Sequence, residues 1–123
     1  MFTAVPSTLL TFYCTLLDMI VRRFLEDLAV GEVNATPETA VSDLDIIEFA
    51  RRYDPQDMHT GASEGLIASG WHTAALVMRL LVDSHPLGST PLLGLGVEDL
   101  RWPTPVRPGD VIKAETEVLS IVR

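Results

Sequence analysis

Residues 54–84 read DPQDMHTGASEGLIASGWHTAALVMRLLVDS, and the rest of the chain can be organised around them. From Gly70 onward only His72, Thr73 and Arg79 interrupt a run rich in Ala, Leu and Met. A segment apolar nearly all round predicts a helix buried by a sheet or a partner. The stretch His85-Pro86-Leu87-Gly88-Ser89 terminates it. Upstream, a carboxylate, Asp54, stands five positions before an imidazole, His59, and Ser69-Gly70 marks the start of the helix. A carboxylate and an imidazole can share general acid/base work, and free backbone N–H groups at a helix start can hold an oxyanion. Such groups suit the addition or removal of water beside a thioester carbonyl.

Before this block, Val33 to Val41 has modest strand character broken by Pro37. Ser42 offers an N-cap, with Asp45 three positions on as a weak capping-box partner. The helix that follows carries Leu44, Ile47, Phe49 and Ala50, with Tyr53 extending its apolar side. Arg51 and Arg52 fall in its last turn, where positive charge suits the helix dipole. Pro55 stops it, so Asp54 enters a loop. After the second helix two β-like stretches are expected, Leu92 to Trp102 and Val111 to Val122, joined by a proline-rich turn. In the second, Val111, Lys113, Glu115 and Glu117 point outward and Ile112, Ala114, Thr116 and Val118 inward.

The chain has 123 residues, enough for one domain. Hydrophobic residues make up 47% and charged residues 21%, the balance of a globular protein. Nine basic against seventeen acidic residues give a net charge of −8, which argues against nucleic acid or an anionic membrane surface as partner. The single cysteine, Cys14, excludes an intrachain disulfide framework and a cysteine metal cluster, and fits a cytoplasmic setting. Met1 to Leu17 carry no side-chain charge. They lack the basic start of a secretory signal and are shorter than the roughly 20 apolar residues of a membrane span. Residues 1–21 read as an N-terminal extension ahead of the domain.

Three blocks, EFARRYDPQDMH (48–59), GLIASGWHTAALVMRLL (65–81) and LRWPTPVRPGDVI (100–112), together with RRFLEDLAVGE near the start, appear in one order along residues 22–123. This ordered set resembles the MaoC-like dehydratase family of hot-dog folds, which includes the (R)-specific enoyl-CoA hydratases. The resemblance implies an α+β fold, a curved antiparallel sheet around a long central helix, here lacking the final strands, with two copies pairing through the sheet and central-helix region. It implies reversible syn addition of water to a trans-2-enoyl-CoA, giving an (R)-3-hydroxyacyl-CoA, with no cofactor beyond the coenzyme A thioester substrate and no metal.

Carried onto matching positions, Asp54 and His59 are the catalytic pair, and Gly70 gives its backbone N–H to the thioester oxygen. Ser69, Trp71 and His72 are candidate substrate-binding residues. The hydroxyl of Ser69 either hydrogen-bonds near the site or caps the helix, the cap being favoured. Trp71, like Leu76, Met78 and Leu81, lines either an acyl pocket or the core, the core being favoured. Three departures from the family pattern stand out, the missing final strands being one. Only ten residues separate His59 from Gly70. Met78 also stands where some hydratases carry a serine supporting the catalytic pair. The alternative function is a non-catalytic hot-dog subunit that binds acyl-CoA or a homologous partner. A thioesterase is less favoured because those enzymes place their carboxylates differently.

Overall fold

The structure is a computed structural model and describes residues 23–88, 90–91 and 93–122. The expected extension, residues 1–21, lies outside the described residues. Among those described, four short strands and three α-helices follow a 3-10 turn at Leu25–Asp27. The helices are α1 (Asp43–Tyr53), α2 (Asp57–Thr60) and α3 (Gly70–Asp83). The strands are β1 (Val33–Ala35), β2 (Thr39–Ala40), β3 (Val111–Ile112) and β4 (Glu115–Glu117).

Strand β1 pairs antiparallel with β4, Val33 opposite Glu117 and Ala35 opposite Glu115. Strand β2 pairs antiparallel with β3, Thr39 opposite Ile112 and Ala40 opposite Val111. The two registers differ by one residue, so 36–38 on one side face 113–114 on the other. That is the geometry of a bulge, and Pro37, which has no N–H to give a ladder, sits inside it. Thr36 bridges the gap. Its N–H donates to the Ala114 carbonyl at 2.9 Å, and its Oγ1 accepts from the buried Ala114 N–H at 2.9 Å. Along the β3–β4 segment exposure alternates as the sequence requires: Lys113, Glu115 and Glu117 are exposed and Ala114 is buried.

Helix α1 starts as the sequence predicts, with the Asp45 N–H donating to Ser42 Oγ at 3.1 Å. Its buried residues are Ile46 and Ala50, one turn apart, whereas Leu44 is 74% exposed and Tyr53 is 67% exposed. The expected apolar side is therefore displaced toward the line through 46 and 50. Ile46 packs with Val41 and Ala68 in a small core flanked by Leu66, Leu76, Val106 and Ile112. The chain then stops helical pairing at Asp54, whose N–H reaches the Ala50 carbonyl at 2.8 Å, and Pro55 prevents another turn.

Helix α3 spans the expected residues, yet only His72 and Leu80 are buried along it. Trp71, Met78 and Val82 are each more than half exposed. The expectation of a helix buried all round by a sheet or a partner is not met within the described residues, where α3 is covered on one side: His72 stacks on Phe49 of α1 and Leu76 packs against the small core. Residues 93–102 form no strand, against expectation. Leu93, Leu95 and Val97 all project into solvent, and Gly94 and Gly96 between them have no side chain to pack. No helix among the described residues is long and apolar enough to cross a membrane.

Candidate active site

Asp54 at the end of α1, His59 on α2 and Ser69-Gly70 at the start of α3 converge on one cavity of about 360 Å³. The reversal between α1 and α3 is short, and backbone hydrogen bonds pin it. Ile67 N–H donates to the Met58 carbonyl at 3.1 Å and Ala68 N–H to the Val106 carbonyl at 2.8 Å. Gly61 closes α2 in the left-handed conformation, φ +78°. The ten-residue connection is therefore long enough to position the histidine.

His59 is 5% exposed, and its Nδ1 lies 2.8 Å from the Ile67 carbonyl. A carbonyl only accepts, so Nδ1 carries the proton and Nε2 is the nitrogen free to exchange one. Nε2 lies 3.5 Å from Asp54 Oδ2. That separation lets a single water oxygen hydrogen-bond both groups at ordinary distances.

Asp54 accepts two further hydrogen bonds, from Gln56 Nε2 to Oδ1 and from Ser69 Oγ to Oδ2, each at 2.7 Å. These donors, Gln56 first and Ser69 second, with a smaller attraction from His59, hold the carboxyl below its ordinary value against the opposing effect of burial. Asp54 is an anion at neutral pH and a weak base.

The favoured role of Ser69 as helix cap is corrected here. No side chain caps α3, because the Ser69 hydroxyl is committed to Asp54. Gly70 opens the helix, so its N–H has no partner within the helix itself. A developing negative charge at this end of α3 meets both that donor and the positive end of the helix dipole.

Gly70 does not have a positive φ, so backbone conformation does not demand glycine there. Space does. A Cβ built on Gly70 would stand 2.5 Å from Cε2 and 2.6 Å from Cδ2 of Trp102. Trp102 in turn meets Trp71 edge to face, ring centroids 5.5 Å apart, and both rings line the cavity. Trp71 is 62% exposed, so it belongs to the cavity rim rather than to the core.

The structure thus brings together Asp54, His59, Ser69, Gly70 and Trp71. It leaves His72 out: that ring stacks on Phe49 of α1, centroids 5.0 Å apart, and does not line the cavity. Met78 does not line it either, and the supporting hydroxyl comes instead from Ser69. Sequence reasoning missed Gln56, the Ile67 carbonyl and Trp102. Gln56 had a local signal, a side-chain donor two residues after the carboxylate; the other two are set by chain reversal. Among the described residues no cluster of His, Cys, Asp and Glu is arranged to hold a metal ion.

Residues 27–123 match the family described as the MaoC like domain. The chain belongs to the MaoC-like domain family. The MaoC-like dehydratase from Rhodospirillum rubrum superimposes with a TM-score of 0.66 at 45% identity, covering 79% of this chain and 70% of that one. The monoamine oxidase regulatory protein from Archaeoglobus fulgius gives 0.70 at 25% identity, covering 80% and 72%. The uncharacterized protein YdeM of Bacillus subtilis (strain 168) is 32% identical over 103 residues, 78% of this chain and 73% of its own length. These MaoC-like neighbours place the chain in the hot-dog fold, α+β, and membership supports a hydratase or dehydratase kind of function.

Proposed function

We propose that this MaoC-like protein catalyses the reversible syn addition of water to a trans-2-enoyl-CoA, giving an (R)-3-hydroxyacyl-CoA. The observation that carries this reading is the convergence in one cavity of Asp54 Oδ2 and His59 Nε2, 3.5 Å apart, with the uncapped start of α3.

A water held between Oδ2 and Nε2 attacks C3 of the enoyl group. As its oxygen bonds to C3, its proton passes to Nε2, the better base given the lowered carboxyl of Asp54. The π electrons of the C2–C3 double bond move toward the thioester oxygen, and the enolate charge is met by the Gly70 N–H. The imidazolium, stabilised by the Asp54 carboxylate, then returns a proton to C2 on the same face. One water is consumed, its hydroxyl ends on C3 and one hydrogen on C2, and both side chains recover their starting states. Dehydration is the same path reversed.

The cavity lies near the lower end of the roughly 300–1,000 Å³ typical of ligand sites, which suits the acyl-thioester end of the substrate with the nucleotide outside. The lone Cys14 accords with a cytoplasmic reaction. Purified protein mixed with crotonyl-CoA is expected to deplete the enoyl-thioester absorbance and to yield (R)-3-hydroxybutyryl-CoA on chiral analysis. An unchanged absorbance over a protein-free control, or the S product, would rule the assignment out.

A further inference from the structure

Given the acyl-CoA hydratase reading above, on which this rests, we infer that the indole of Trp102 sets the length of acyl chain the cavity accepts, confining it to short, straight chains. Three observations lead there. The floor of the cavity is closed: Ala68 and Ser69 are buried, and Ala68 belongs to the core with Val41 and Ile46, so a chain cannot run deeper. The side next to Gly70 is closed by Trp102, whose ring occupies the space a Cβ would need. At the rim Trp102 meets Trp71 edge to face. A chain that enters between the Asp54–His59 pair and Gly70 therefore meets the core at the floor and the Trp102 ring on the Gly70 side. Trp102 is 44% exposed, so a bound short chain gains apolar burial against the ring, whereas a longer one directed toward Gly70 must displace it.

The contact that seats the ring also limits its movement. It rests against the backbone at the start of α3 and cannot swing toward the helix. The remaining route is outward, at the loss of its contacts with both Gly70 and Trp71. Discrimination of about tenfold or more between short and long chains is the scale that pocket walls of this kind achieve.

The test compares kcat/KM for four-carbon and eight-carbon enoyl-CoA in wild type, Trp102→Phe and Trp102→Ala. Wild type should prefer the short chain by about tenfold or more. The preference should shrink in Trp102→Phe and vanish or invert in Trp102→Ala. An unchanged ratio across the three proteins overturns the inference. The chain has only two tryptophans and both line the cavity, so intrinsic fluorescence reports on this site without any turnover. Titration with butyryl-CoA and octanoyl-CoA gives the ratio of dissociation constants, with Trp71 as the remaining reporter in the variants. If wild type turns over neither enoyl-CoA, the hydratase assignment fails, yet loss of the butyryl preference on removing the indole still supports the wall. Equal dissociation constants for the two thioesters in wild type, or no fluorescence response to either, overturn it. Should Trp102→Ala not fold, Trp102→Phe decides by the same comparison.

Discussion

The hydroxyl of Ser69 donates to Asp54 Oδ2 at 2.7 Å instead of capping the helix it precedes. One hydrogen bond thus does two things. It holds the carboxylate beside the start of α3, and it leaves the first N–H groups of that helix without a side-chain partner.

Ser69→Ala is expected to lower kcat with little change in KM. A hydrogen bond to a charged group contributes about 1.5–3 kcal/mol, which corresponds to roughly ten- to a hundredfold in rate. Losing a donor to the charged form also lets the Asp54 carboxyl rise toward its ordinary value, which NMR titration of that carboxyl in wild type and variant reads directly. Steady-state kinetics checks the rate. An unchanged kcat would mean that the Ser69 bond is structural only.

Gly70→Ala should be destabilising although alanine is the better helix former by about 1 kcal/mol. The new methyl must occupy the place of the Trp102 ring, and overpacking of this kind costs about 1–3 kcal/mol. Pairing it with Trp102→Leu should recover part of the loss, because the obstacle is the ring and not the backbone. Denaturant unfolding of the two single variants and the double variant gives the coupling, and simple additivity would contradict it.

His72 supplies a pH dependence separate from catalysis. Burial holds its imidazole below the ordinary value of 6.5, partly opposed by the charge of Asp45, and Nδ1 finds no partner among the described residues. The groups around it on α1 are Asp45, Glu48, Arg52 and Tyr53, and Leu76 faces it from its own helix. A depressed histidine favours the neutral form in the fold. At high pH neither state is protonated and there is no penalty. As pH falls through 6.5 the unfolded chain binds a proton that the folded chain refuses, so stability declines until the folded group titrates too. His72→Phe should flatten the part of that decline that sets in as pH falls through 6.5 in thermal unfolding. A slope identical to wild type would show that His72 titrates alike in both states.

How much of this is legible in sequence depends on the range of each interaction. The bounds of α3 are readable because an apolar run without breakers and a following His-Pro define them locally. The start of α1 is readable because Ser42 reaches only three residues. Asp54 and His59 are readable as a pair because they stand five positions apart inside a block that resembles the family's. The Ser69–Asp54 bond is not, since it joins residues fifteen apart across a chain reversal, and a serine before a helix reads locally as a cap. The Trp102–Gly70 contact leaves no local pattern at all; glycine at a helix start has many causes. Leu93, Leu95 and Val97 alternate like a strand, yet alternation reports what a strand could bury and not whether a partner lies beside it.

The central claim is that Asp54 and His59 act together on water. It is tested most directly by the hydration rate of crotonyl-CoA with Asp54→Asn, a change that keeps the shape of the side chain and removes its charge. The account predicts a fall of at least about a hundredfold in kcat, with the folded state and acyl-CoA binding retained. A variant rate equal to that of wild type would contradict it.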